Sequence, residues 1–308
     1  MRDDLPDSRD PSEAETIEEL PAAPPEPLPP PVPIELTVAG MTHVGLVRQN
    51  NEDQYLIVRL RKSLELLDTS LAHADIPQMA DREGYVLLVA DGIGGRAGGE
   101  RASTLVVQEA THYLLGAAKW FFRLEDPDEH VRLRLLHEAL ERIDRHMIEE
   151  GLDNPALAGM GTTLTAVSVV GAEAFAVHVG DSRAYRLHEG RLEQITTDHT
   201  LTQEFIDKGI LSPEQARGHR LHSVLTNALG GKPGVDADII KLRISGGDKL
   251  LLCTDGLTDM VSDDKIAAIL ERHEAPAVTC RALVDAALSS GGTDNITVIV
   301  AAIETGAM

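Results

Sequence analysis

The stretch Tyr85-Val86-Leu87-Leu88-Val89-Ala90-Asp91-Gly92-Ile93-Gly94-Gly95 sets the terms for the whole chain. Its apolar half reads as a strand that runs straight into a glycine-rich loop, with Gly98-Gly99 following before a helical stretch. Gly92 to Ala97 literally satisfies the dinucleotide fingerprint G-x-G-x-x-A, which would place the loop in a strand-helix-strand unit. Two features reject that reading. Asp91 would face the pyrophosphate, and the next convincing strand comes about seventy residues later, after two helical stretches at 98–115 and 128–150. Predicted strands 162–170 and 174–179 then flank Gly171 as a hairpin, and several later strands follow one another directly. Two more helical patterns, 262–273 and 277–289, precede a last strand at 296–303. Strands, two helices, strands, two helices is an α+β order, which two antiparallel sheets packed together and covered by helix pairs accommodate.

The chain of 308 residues is long enough for one large core, and with 3% aromatics that core must be built from Leu, Val, Ile and Ala. A net charge of -22 argues against a nucleic-acid binder, which needs clustered Lys and Arg, and against adsorption to membranes. No run approaches the ~20 apolar residues of a membrane span. The acidic start lacks a secretory pattern, and two cysteines, Cys253 and Cys280, make neither a disulfide framework nor a zinc ribbon, so a cytoplasmic setting is expected. Residues 1–35 hold ten of the sixteen prolines and few large apolar residues, and are expected to form a disordered acidic tail, with polyproline II at 24–31. Residues 36–308 form the folded domain. Residues 62–82, with a short helical pattern, read as an insertion between two core strands.

The chemistry sits at strand ends. Asp91-Gly92 ends one strand, Asp255-Gly256 follows another at 249–253, Asp294 sits in Gly291-Gly292-Thr293-Asp294-Asn295 before the final strand, and Gly180-Asp181-Ser182-Arg183 joins two more. Singly, such aspartates are turn formers or helix caps. Four of them in glycine-bearing turns at strand ends would repel one another unless protons or cations neutralise them, and hard oxygen ligands without paired His or Cys point to magnesium or manganese. Arg48, between the first two strands, makes sense near such cations if an anion with paired oxygens, such as phosphate, lies between them; otherwise it is a surface salt bridge to Glu52 or Asp53. Most histidines, including His219 and His222 and the pair His137 and His146 on a helix taken as solvent-exposed, read as structural or solvated, while His199 could approach the site. Cys253 reads as core.

With these residues in view, the chain resembles the metal-dependent Ser/Thr protein phosphatases of type 2C in their bacterial form. The likeness rests on Gly45-Leu46-Val47-Arg48 with Asn51-Glu52-Asp53, Asp91-Gly92-x-Gly94-Gly95, Gly159-Met160-Gly161-Thr162-Thr163-Leu164, Gly180-Asp181-Ser182-Arg183, Asp198-His199, Asp255-Gly256-Leu257 and Asp294-Asn295-Ile296-Thr297. It implies a four-layer αββα sandwich and a flap at about 200–229 that helps choose the substrate. It also implies two core Mn2+ or Mg2+ ions held by Asp91, the Gly92 carbonyl, Asp255 and Asp294, with Glu52 and Asp53 acting through water, and a looser third site at Asp181 and Asp259. Arg48 would bind the substrate phosphate, and a metal-activated water would attack it. Where many eukaryotic members carry a His general acid this chain has Ile93, so the leaving oxygen must be served by a metal-bound water or by His199. The implied partners are phosphorylated proteins, with a bacterial Ser/Thr kinase on the other side of the cycle; no nucleic acid and no membrane insertion are expected, and the oligomeric state stays open. The competing expectation is a non-catalytic phosphatase-fold module that binds partners or senses a metal.

Overall fold

Strand β3, Met79–Ile93, shows why the quoted stretch forms a strand and where it lies. Leu87 and Val89 point into one buried cluster and Leu88 and Ala90 into another, so an uninterrupted apolar run is what a strand covered on both faces requires. The computed structural model describes residues 34–65, 79–121, 129–216, 218–231 and 234–305. The expected tail up to residue 33, including its polyproline stretch, lies outside them.

Two antiparallel sheets follow. One runs β1 (Ile34–His43), β11 (Ile296–Thr305), β10 (Lys249–Cys253), β7 (Arg183–His188) and β8 (Arg191–Gln194). The other runs β2 (Asp53–Glu65), β3, β5 (Leu164–Val170), β6 (Glu173–Val179) and β9 (Asp238–Arg243), with the two-residue β4 (Gly161–Thr162) paired to β3. Leu250, Leu252, Ile299 and Ala301 of the first sheet meet Leu87, Val89, Val167 and Ala176 of the second. On the outer side of the first sheet, Leu251, Cys253, Val298 and Val300 pack on α5 (Asp255–Thr258), α6 (Asp263–Leu270) and α7 (Pro276–Ser289). On the outer side of the second, Leu88, Ala90, Leu164 and Val179 pack on α1 (Gly95–Phe121) and α2 (Glu129–Asp153). The result is the expected four-layer αββα sandwich of class α+β.

Several expectations are corrected in detail. Ile34 and Glu35 belong to β1, not to the tail. The supposed insertion is partly a prolongation of the β2–β3 hairpin, with Lys62 opposite Arg82 and Glu65 opposite Met79; the rest of it, residues 66–78, lies outside the described residues. Helix α1 starts at Gly95, three residues before the expected start at Gly98, and runs on to Phe121. α2 is amphipathic: His137 and His146 are exposed, but Leu140, Ile143 and Met147 line the core. The predicted strand 162–170 is interrupted at Thr163, which turns toward Asp91. β8 was not expected; it follows a tight turn in which Glu189 and Gly190 both have positive φ, and Glu carries no turn signal at such a position. The flap segment holds α3 (Leu201–Asp207), capped by Thr200, and α4 (Pro213–Ala216).

Candidate metal centre

Register brings the chemistry to one end of the sandwich. In the β2–β3 pair Asp53 lies opposite Asp91, and in the β7–β10 pair Arg183 lies opposite Cys253, so Asp181 and Asp255 flank the same edge. β11 runs antiparallel to β10 with Val298 opposite Cys253, which carries Asp294 to that edge as well.

The backbone around Asp91 is held from several sides. Its N–H donates to Thr163 Oγ1 (2.9 Å), and its carbonyl accepts from Thr162 Oγ1 (2.7 Å) and Thr163 N–H (2.9 Å). Gly92 N–H donates to the Glu52 carbonyl (3.2 Å), which also accepts from Ser103 Oγ (2.6 Å) on α1. A Cβ at Gly99 would collide with the Glu52 carboxylate, and one at Gly92 with the Gly99 carbonyl. Glycine therefore lets the first turns of α1 close on the site, at a helix-propensity cost of about 1 kcal/mol at Gly99.

Asp53 is buried, and its Oδ2 accepts from Thr254 Oγ1 (2.8 Å). The Oδ1 atoms of Asp53 and Asp255 are buried with no hydrogen-bond partner. Orphaned carboxylate oxygens are costly unless something positive meets them. Burial, reinforced by the other carboxyls, pushes Asp53 and Asp255 up to about 7. Asp91 and Asp181 are also raised well above the usual carboxylate range, mainly by burial and then by their acidic neighbours. Among the described residues no three His, Cys, Asp or Glu side chains already form a coordination cage. A cation here would be completed by backbone oxygen and water, the habit of magnesium-type ions. Orphaned oxygens, clustered carboxyls and an approachable glycine backbone make the residues fit such an ion.

Arg48 has a partner other than the Glu52 or Asp53 first considered: its Nη2 donates to Asp294 Oδ2 (2.6 Å), while Asp294 Oδ1 accepts from Asn295 N–H (2.8 Å). The Arg48–Asp294 pair is well exposed (55% and 33%), so it contributes little and is easily exchanged for a better anion. Asp259 is exposed and meets His222 Nε2 of the flap (3.3 Å), a contact the sequence did not signal. His199 reaches Gly180, next to Asp181, but neither ring nitrogen is free: Nδ1 accepts from Gly180 N–H (3.2 Å) and Nε2 faces Asp238 Oδ2 (3.2 Å). The residue most clearly missed is Asn295, buried and bonded to three backbone groups of the Arg48 loop.

The raised carboxyls give a signed pH dependence. Their folded pKa values lie above the unfolded value of about 4, so the stability they contribute to the metal-free protein is fully present below about pH 4 and lost as pH rises through about 7. A bound cation requires the deprotonated forms and reverses the loss. The melting-temperature gap between protein with excess Mn2+ and protein in chelator is expected to widen from pH 5 to pH 7.5. A gap that stays constant across that range would show that these carboxyls do not hold the ion.

A sequence model described as Protein phosphatase 2C matches residues 73–289. The chain is 36% identical over 272 residues to the serine/threonine protein phosphatase PstP of Mycobacterium tuberculosis, covering 88% of this chain and 45% of that protein, and so spans about half that relative's length. It is 31% identical over 264 residues to the protein phosphatase PhpP of Streptococcus pneumoniae, covering 85% of this chain and 96% of the relative. The crystal structure of the PstP catalytic domain in complex with two manganese ions superimposes with a TM-score of 0.68 at 34% identity, over 88% of this chain and 99% of that one. Matching site motifs, sandwich topology and these relatives agree: the chain belongs to the protein phosphatase 2C family.

Proposed function

We propose that this protein hydrolyses phosphoserine and phosphothreonine in other proteins with the help of manganese or magnesium, opposing a bacterial Ser/Thr kinase. The observation that carries the reading is the set of buried and half-buried, mutually repelling carboxyls, two with orphaned oxygens, beside an exposed and weakly engaged Arg48. Asp91, the Gly92 carbonyl, Asp255 and Asp294 would hold two core cations, Glu52 and Asp53 would add charge around them, and Asp181 with Asp259 would serve a third. Such cations, when bound, supply a water nucleophile at neutral pH and neutralise charge on the phosphoryl group. Arg48 leaves Asp294 and clamps two phosphoryl oxygens with its forked donors, gaining most as charge develops in the transition state. Ile93 has no proton to give and both His199 nitrogens are occupied, so the leaving serine or threonine oxygen takes its proton from water.

The flap, tied down by bridges between Thr200 and Leu225 and between Thr162 and Leu229, borders the site through His222 and would select among phosphoproteins. A cytoplasmic setting fits the two buried free thiols, and no helix among the described residues is long and apolar enough to cross a membrane. The test is hydrolysis of phosphoserine and phosphothreonine peptides with Mn2+, with Mg2+ and with chelator. Turnover only with metal is the expected result; Mn2+ binding by calorimetry without turnover of any phosphopeptide or phosphoprotein would make the chain a binding or metal-sensing module instead.

A further inference from the structure

Asp181 sits in a turn whose two sides are held unequally. On one side Ser182 is fixed within the sheet, its carbonyl accepting from Thr165 Oγ1 (2.8 Å) and its hydroxyl meeting Thr163 Oγ1 (2.8 Å). On the other side both backbone hydrogen bonds of Gly180 among the described residues go to one residue, His199. The Gly180 carbonyl accepts from His199 N–H (2.7 Å), and Gly180 N–H donates to His199 Nδ1 (3.2 Å). The same histidine holds the return leg of the flap: its carbonyl accepts from Thr226 N–H (2.9 Å), and Asn227 Nδ2 lies 3.2 Å from Nδ1. Nδ1 is thus an acceptor shared by two donors, which places the ring proton on Nε2, facing Asp238. The ring also lies 4.8 Å from that of His178, whose own nitrogens meet Thr165 and the Thr197 carbonyl.

We propose that His199 is the positioning residue that couples the flap to Asp181. A flap that shifts at Thr226 and Asn227 pulls on His199, which through its own N–H and Nδ1 holds both backbone groups of Gly180, so the Asp181 carboxylate and the flap leg move as one unit. The proposal deepens the functional reading above, since it takes Asp181 as a cation ligand. Coupling of this kind is reciprocal: cation binding at Asp181 must change the flap, and the state of the flap must change cation affinity.

Limited trypsin cleavage at Lys208 and Arg220, both in the flap, reads the coupling without any enzyme assay. In the natural protein, saturating Mn2+ is expected to change the cleavage rate several-fold. In His199→Ala the flap is expected to be cut quickly and equally with and without Mn2+, and the Mn2+ concentration for half-maximal turnover of a small phosphoester to rise roughly tenfold, the scale of one or two lost hydrogen bonds. His199→Asn keeps an acceptor near the Nδ1 position and is expected to restore most of both responses. An unchanged metal effect on cleavage in His199→Ala overturns the proposal. Should that variant fail to fold, a folded His199→Asn protein with no metal effect on cleavage overturns it equally. If the natural protein turns over no phosphorylated substrate, the functional reading fails while the cleavage experiment still decides the coupling.

Discussion

Replacing Asp91 by Ala, or Asp255 by Asn, is expected to lower metal-dependent phosphopeptide hydrolysis by at least ~100-fold, the loss that follows removal of strong electrostatic stabilisation. The structure allows the fold to survive both changes. The backbone of Asp91 is held by Thr162, Thr163 and its place in β3, none of which uses its side chain. Asp255 carries an orphaned buried oxygen and a pKa pushed up to about 7, so its charge is a liability to the metal-free fold. Asn at that position removes the charge and offers donors to the neighbouring carboxyls. Activity and stability should therefore move in opposite directions: kcat/KM falls, while the melting temperature in chelator at pH 7.5 rises. Unchanged turnover in either variant would refute the assignment of these residues to the metal centre, and a lower melting temperature for Asp255→Asn in chelator would refute the electrostatic account of the site.

The balance of opposing terms at this site also explains what the sequence could disclose. Strands β3 and β10 were legible because both faces are buried, which demands an unbroken apolar run; every residue of β10 is buried. Their ends were legible because aspartate beside glycine is an unusual way to finish such a run. α1 was expected three residues late because it is entered through Gly94 and Gly95, both with positive φ, which read as loop; within its first turns Gly99 is present for the close approach to Glu52. β8 is polar and short, and its turn uses Glu189, so no local signal marked it.

Contacts between distant positions were less accessible still. Arg48 and Asp294 are 246 positions apart, and Thr254 and Asp53 are 201 apart, so spacing could not pair them. The resemblance gathered the aspartates into one site, but said nothing of the uncharged residues that hold them there. Thr162 and Thr163 looked like the start of a strand, and only the structure shows them gripping the Asp91 backbone. His199, a candidate acid by position alone, is withdrawn from that role by the partners of its two nitrogens.

Asn295 provides the second large effect, and it tests the geometry rather than the charge of the site. Its Oδ1 accepts from Glu52 N–H (2.8 Å), and its Nδ2 donates to the carbonyls of Val44 and Asn50 (2.9 Å each). One buried side chain thereby closes the loop that carries Arg48 and Glu52 and fixes it to the residue next to Asp294. Asn295→Ala leaves one N–H and two carbonyls unpaired in a half-buried setting, which should cost about 2–4 kcal/mol. That corresponds to a fall of roughly 5–12 °C in melting temperature. KM for phosphopeptides should rise as well, because Arg48 loses its fixed approach to the phosphate. Asn295→Asp separates hydrogen bonding from packing, since it has nearly the same shape and keeps an acceptor for Glu52 N–H. It turns the Nδ2 donor into an acceptor facing two carbonyl oxygens and adds a charge to an already acidic cluster. The isosteric Asp variant is therefore expected to be less stable than the truncated Ala variant in chelator. An Asp variant as stable as the natural protein would mean that the amide does not clamp this loop and that Arg48 is positioned by other contacts.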